Sequence, residues 1–182
     1  MTLTELMETL PAYARDLKLN FSTLSQQKEL TEQQIWGTLV ASAVAARNSD
    51  LTQALVAEAA LHLSPQALEA AKAAAAMMGM NNVYYRFQHL TTNENYRTMP
   101  AKLRMNVLRS HLVDQVDFEL WSAAASAIKG CGVCVDSHEK IIRHKGLSEE
   151  AVLAAIRLAS VIHGLATVLD AEPVRLPEAL AV

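Results

Sequence analysis

Two cysteines three positions apart, Cys131 and Cys134, are the residues of this sequence best suited to chemistry. The preceding Gly130 is typical of a helix end, so we expect the pair to open the next helix. At a helix N-terminus, partial positive charge and free N–H groups lower a thiol pKa from about 8.5 to roughly 3.5–7.5. A thiolate formed there is a nucleophile, and the second thiol is placed to close a disulfide. The spacing therefore predicts dithiol–disulfide chemistry.

Two ionisable residues near the pair are suited to moving its protons. His138 follows Cys134 by four residues, which is one helical turn, and histidine exchanges protons near neutral pH. Glu119 lies one predicted helix earlier in an apolar stretch that includes Phe118 and Trp121, where a carboxylate could act as a base. We therefore expect Cys131, Cys134, Glu119 and His138 to form the catalytic group.

Each of these residues also has a simpler interpretation. The cysteines could be small core residues, or they could bind zinc, which would need two further ligands and finds no second CxxC motif here. Glu119 alone could be a solvated surface glutamate. His138 alone could be a surface histidine, or one whose ring nitrogens are hydrogen-bonded without a catalytic role. The segment Met77–Phe87 is expected to serve core packing or a subunit interface. A structural role is also expected for the remaining histidines, which are His62, His89, His111, His144 and His163.

The elements that must position these residues all have helical signatures. Capping signals stand at Thr2, Thr31, Ser64 and Ser148. Helices are predicted over about 114–129 and 131–145, ending at Gly130 and Gly146, and a short helix over about 100–109. No run alternates with the period of a half-buried strand. The sequence predicts an all-α fold.

An internal duplication is a further expectation. Gln34 and Trp36 match Glu119 and Trp121 at a shift of about 85 residues, and a second match follows at about 84. At a shift of 85 residues, the four candidate catalytic residues align with neutral residues of the first half. Glu119, Cys131, Cys134 and His138 align in that order with Gln34, Ala46, Ser49 and Gln53. We therefore expect one domain, 1–182, composed of a structural half, 1–99, and a catalytic half, 100–182.

Composition and charge exclude some partners. Hydrophobic residues make up 51% of the chain, which allows a sizeable core. Sixteen basic and 19 acidic residues give a net charge of −3, so nucleic acid is not expected as a partner. The sequence has no clear membrane span and no signal-peptide pattern at its start. A close cysteine pair of this kind favours the cytoplasm.

Several segments resemble one known family. The matching residues are Phe118–Trp121, Ser126–Cys134 and His138-Glu139, together with Leu10–Asn20, Ala45–Asn48 and Met80–Arg86. They resemble the alkyl hydroperoxide reductase AhpD family, within the carboxymuconolactone decarboxylase-like superfamily. Glutamate, CxxC and histidine at these separations are a much more specific pattern than CxxC alone, and the resemblance covers nearly the whole chain.

The resemblance implies an AhpD-like helical fold of two related halves, assembled as a homotrimer. It implies an antioxidant thiol peroxidase with no tightly bound cofactor and no metal. Electrons would come from dihydrolipoamide on a lipoylated acyltransferase and pass to a peroxiredoxin, AhpC, through a mixed disulfide at Cys134.

In roles carried over from the family, Cys134 is oxidised to sulfenic acid and Cys131 is the proton donor and resolving thiol. Glu119 and His138 form the proton relay. Val133 departs from the family pattern, because some members carry histidine there. Two other functions remain open at this stage: a decarboxylase like other members of the superfamily, and a non-enzymatic redox-sensing or zinc-binding protein.

Overall fold

The computed structural model describes residues 1–109 and 113–172, and its regular elements are all helical. In chain order the α-helices are α1 (Leu3–Glu8), α2 (Arg15–Leu24), α3 (Glu32–Ala46), α4 (Ser49–Ala59), α5 (Pro65–Leu90), α6 (Asn95–Thr98), α7 (Gln115–Ile128), α8 (Gly132–His144) and α9 (Glu149–Ala171). Short 3₁₀ helices occupy Ala12–Ala14 and Asn106–Arg109. The prediction of an all-α fold is confirmed, and no strand occurs in the described ranges. His111 lies outside them.

The helices begin where the sequence places caps. Thr2 and Thr31 both complete capping boxes, in which the threonine hydroxyl and a side chain three residues later satisfy free backbone N–H groups. Ser64 and Ser148 accept bonds from the backbone N–H groups three residues on. These predictions are confirmed, as are the ends of α7 and α8.

The short helix expected over residues 100–109 is wrong for most of its length. Residues 100–105 are irregular, and only the 3₁₀ helix Asn106–Arg109 follows them. Lys102 has a φ of 52°, outside the right-handed helical region. Residues 101–105 are exposed or half-buried, so little packing offsets the cost of starting a helix.

Helix α7 lies at the centre of the core, because it packs against α3, α5, α8 and α9. Its residue Trp121 is fully buried. Helix α9 is long and apolar enough to cross a membrane by length and composition alone. Its apolar side chains, Leu158, Ile162 and Leu165 among them, are buried in the core, where α9 packs on α2, α3 and α7. Core packing therefore accounts for its apolar character.

The internal duplication stays a prediction, and the helix starts suggest a different register for it. If α3, α4 and α5 are aligned in order with α7, α8 and α9, their N-cap residues can be compared. The aligned N-caps are Thr31 with Asp114, Asn48 with Cys131, and Ser64 with Ser148. These pairs lie 83, 83 and 84 residues apart. By position in its helix, Gln34 therefore corresponds to Asp117 rather than to Glu119. The division into halves at residue 99 also stays a prediction.

Candidate active site

The two cysteines form a disulfide at the start of α8. Cys131 is the N-cap residue of that helix, and Cys134 lies in its first turn. Gly130, with a φ of 66°, turns the chain so that the Cys131 N–H donates to the Ser126 carbonyl at 3.2 Å. Both cysteines are buried, with Cys131 0% and Cys134 6% exposed. The pair is therefore held by two helix ends in a geometry that allows disulfide formation.

Glu119 and His138 come together from neighbouring helices. The Nδ1 atom of His138, on α8, lies 2.6 Å from Oε2 of Glu119, on α7. Each side chain is 14% exposed. With an ionised carboxylate as acceptor, Nδ1 carries a hydrogen and donates it, so Nε2 is the atom left for exchange with other groups. The structure therefore brings Glu119 and His138 into contact, and their catalytic roles stay a prediction.

The other ring nitrogen of His138 faces a methionine. Its Nε2 atom lies 3.1 Å from Sδ of Met78 on α5, and Met78 is 1% exposed. A thioether is a weak acceptor, whereas both nitrogens of a protonated imidazole are donors. In the disulfide state, the ring therefore has an acceptor on each side, with the carboxylate as the stronger one.

One pocket brings Cys134 and His138 together. It has a volume of about 400 Å³, and its lining residues are Met78, Asn81, Tyr85, Met105, Val133, Cys134, Ser137 and His138. Cys131 lines a different opening of about 590 Å³, beside Asp136 and Glu139. A small molecule in the first pocket would therefore meet Cys134 and the histidine, with Cys131 on the far side of the disulfide.

Two adjacent asparagines of α5 support this region. Asn82 Nδ2 donates to the Ser126 hydroxyl at 2.9 Å, and Ser126 also accepts the Cys131 N–H through its carbonyl. This chain of contacts fixes the turn before the disulfide. Asn81 lines the pocket and is 5% exposed, yet its Oδ1 has no hydrogen-bond partner among the described residues. Asn81 therefore carries an unsatisfied buried acceptor in the wall of the pocket.

Sequence reasoning missed the contribution of α5. The sequence predicts core packing or a subunit interface for the segment Met77–Phe87, but Met78, Asn81 and Tyr85 line the Cys134 pocket. Their spacing of three and four residues places them on one face of a helix. The sequence therefore indicates that the three residues share one helix face, but it does not indicate that this face lies beside Cys134.

Among the other histidines in the described ranges, none lines the pocket of Cys134. His62 stacks on Trp36 with ring centroids 4.2 Å apart, and its Nδ1 lies 2.7 Å from Glu32. His89 lines a small cavity that adjoins the Cys134 pocket, since Tyr85 and Val133 line both. His144 ends α8, and His163 lies on the exposed side of α9. No group of three or more His, Cys, Asp or Glu side chains in the described ranges is arranged to hold a metal ion.

The model of the carboxymuconolactone decarboxylase family matches residues 95–174, a segment that includes the disulfide and helices α7, α8 and α9. Curated relatives narrow this assignment. The chain is 64% identical over 180 residues to the alkyl hydroperoxide reductase AhpD of Acidobacterium capsulatum, with 98% of each chain covered. It is 62% identical over 172 residues to that of Solibacter usitatus, covering 94% of this chain and 97% of the relative. The chain belongs to the AhpD family.

Proposed function

We propose that this protein is a thiol-dependent alkyl hydroperoxide reductase that cycles Cys131 and Cys134 between dithiol and disulfide. One observation carries the proposal: Cys134 and His138 line the same pocket, while Glu119 holds the other side of the imidazole at 2.6 Å. The names of the relatives, alkyl hydroperoxide reductase AhpD, agree with this activity.

The proposed cycle begins with Cys134. His138 takes the Cys134 thiol proton, and the thiolate attacks the terminal oxygen of the peroxide. The O–O bond breaks, Cys134 becomes a sulfenic acid, and the alkoxide receives the proton and leaves as an alcohol. Cys131 then attacks the sulfenic sulfur, which releases water and forms the disulfide. Glu119 stabilises the imidazolium through the Nδ1–H, so proton transfer does not leave an unpaired charge in a largely buried site.

The finer assignments belong to the same proposal. A dihydrolipoamide on a lipoylated acyltransferase would return two electrons by thiol–disulfide exchange, becoming a cyclic disulfide itself. A peroxiredoxin such as AhpC would receive electrons through a mixed disulfide at Cys134, the cysteine of the accessible pocket. We place this cycle in the cytoplasm, where small thiol systems keep catalytic pairs reduced.

We also propose a homotrimer. On α5, Phe87 is 52% and Leu90 74% exposed, and their spacing of three residues places them on one side of the helix. Exposed apolar surface of this kind favours a protein contact. Light scattering should give three times the mass of one chain, and Phe87→Lys should lower it. A single-chain mass for the wild type at micromolar concentration would contradict the proposal.

Stopped-flow kinetics test the proposed activity. The reduced protein is mixed with tert-butyl hydroperoxide, cumene hydroperoxide or hydrogen peroxide, and the disulfide formed is then offered dihydrolipoamide, glutathione and thioredoxin in parallel. We expect fast oxidation by organic peroxides and preferential reduction by dihydrolipoamide. Cys134→Ser should abolish oxidation.

The two competing functions predict other results. A decarboxylase would turn over a carboxylated lactone in a way that survives Cys134→Ser. A zinc-binding protein would carry bound metal after purification and lose reactive thiols to it. Either result, combined with no peroxide reaction of the dithiol, would overturn the proposed function.

A further inference from the structure

A further pocket gathers three cations. Arg47, Arg86 and Lys129 line a cavity of about 420 Å³ between α3, α5 and the end of α7. It shares no lining residue with the openings beside Cys131 and Cys134. The remaining walls are small or apolar, and Gly79 and Val83 belong to them.

The three cations have no counter-charge within the described residues. Ion pairs of arginine and lysine there involve Arg97, Lys140 and Arg143 instead. Arg86 donates to the backbone carbonyl of Lys129, which carries only a partial charge. Burial, together with the neighbouring charges of Arg47 and Arg86, lowers the pKa of Lys129. The pocket therefore gathers three cations without an ion-pair partner in the described chain, with Arg86 and Lys129 partly buried and Arg47 exposed.

Two residues of this pocket are costly choices for the backbone. Arg47 follows α3 with a φ of 73°, in the left-handed region where the ends of α7 and α8 use Gly130 and Gly146. Gly79 lies inside the long helix α5, where glycine is unfavourable. A Cβ added to Gly79 would meet no atom within 4 Å, so no packing contact in the described chain requires glycine there. A bound molecule would account for both residues, because Arg47 would contact it and the absence of a side chain at Gly79 would leave room for it.

We propose that this pocket is a binding site for an oxyanion of the phosphate class, either free or as the phosphate group of a small molecule. Two guanidinium groups and one ammonium suit a group with several oxygens and more than one negative charge, because arginine binds phosphate with paired N–H donors. The missing side chain at Gly79 leaves room for it beside α5, and Val83 offers an apolar surface to an attached organic part.

Calorimetry on the full chain, in its native oligomer and at low ionic strength, tests the proposal. The probes are inorganic pyrophosphate, adenosine diphosphate and, as the uncharged arm, adenosine. Pyrophosphate and the nucleotide should bind, whereas adenosine should not. Tighter binding of the nucleotide than of pyrophosphate would identify an organic phosphate, and equal binding would identify a free anion.

Arg47→Gly is the decisive variant, because glycine suits a φ of 73° and the fold should not suffer. Loss of one charged hydrogen-bonding partner should weaken pyrophosphate binding by about tenfold or more. Lys102→Gly is the matched control: Lys102 is exposed, has a φ of 52° and lies outside the pocket, so affinity should not change. Gly79→Leu fills the cavity without changing charge and should also weaken binding.

Three results would overturn the proposal. One is the absence of saturable pyrophosphate binding at about 1 mM. Another is equal affinity of Arg47→Gly and the wild type. The third is a fall in the oligomer mass for Arg47→Gly, because the cations would then serve a contact between copies of the chain.

Discussion

The indole of Trp121 lies directly against the backbone of Gly37, so that a Cβ on residue 37 would stand 2.1 Å from Cε2 of the ring. This contact joins α3 to α7 at the centre of the core, where Trp121 is 0% exposed. Because Glu119 lies two residues before Trp121 on α7, the same contact helps to set the position of the carboxylate that holds His138.

Gly37→Ala should therefore destabilise the protein. Inserting a methyl group into a packed core costs about 1–3 kcal/mol, which exceeds the gain of about 0.5–1 kcal/mol from replacing a helical glycine. Urea unfolding measures the difference. Gly79→Ala is the matched control, because its Cβ would meet nothing within 4 Å, and it should stabilise the protein by about 0.5–1 kcal/mol. Equal effects of the two variants would show that α3 shifts freely away from the indole.

The cysteines should have separate roles, because they face separate openings. With Cys131→Ser, peroxide should still oxidise Cys134, and the reaction should stop at a sulfenic acid that dimedone traps. With Cys134→Ser, no fast oxidation should occur, since Cys131 is 0% exposed and does not line the His138 pocket. Mass spectrometry after one equivalent of peroxide separates the products. Dimedone labelling of Cys131 in the Cys134→Ser protein would reverse the assignment.

Asn81 should orient the peroxide. Asn81 lines the Cys134 pocket, and its Oδ1 is buried without a partner in the described chain, so a small rotation of the amide toward the pocket would let it accept the hydrogen of a hydroperoxide. A hydrogen bond has a net value of about 0.5–1.5 kcal/mol, so Asn81→Leu should slow oxidation by about threefold to tenfold. Alkylation of Cys134 by iodoacetamide needs no such bond and serves as the internal control. Parallel losses in both reactions would assign Asn81 a packing role only.

The all-α fold and the cysteine pair could be predicted from sequence for local reasons. Caps such as Thr31 and Ser148 act on residues three positions away, and the cysteine pair acts across one helical turn. The rest depends on contacts between distant segments. Nothing near Asn81 in the chain indicates that it faces Cys134, and nothing near Arg47 indicates that Lys129 lies in the same cavity. The wrong helix at 100–109 has the same cause, since its local signal lacked a packing partner.

The proton relay provides the last prediction, which concerns Glu119→Gln. Glutamine keeps the size of the side chain, but it cannot balance the charge of a protonated His138 across the 2.6 Å contact. Because positioned proton transfer contributes about 10²–10⁴-fold, we expect oxidation of Cys134 by peroxide to slow by at least about tenfold, with the fold and oligomer unchanged. The loss should shrink as the pH rises toward the free thiol pKa of about 8.5, where the thiol ionises without a base.

Stopped-flow oxidation rates measured from about pH 6 to about pH 9 test this pH dependence. The range includes the pKa values of free histidine and free cysteine. Glu32→Gln is the matched control, because Glu32 forms a similar contact of 2.7 Å with His62, far from the disulfide in the first turn of α3. That variant should react like the wild type at every pH. If Glu119→Gln also matches the wild type throughout, Glu119 only fixes the ring of His138, and the proton of Cys134 leaves through the histidine and solvent without the carboxylate.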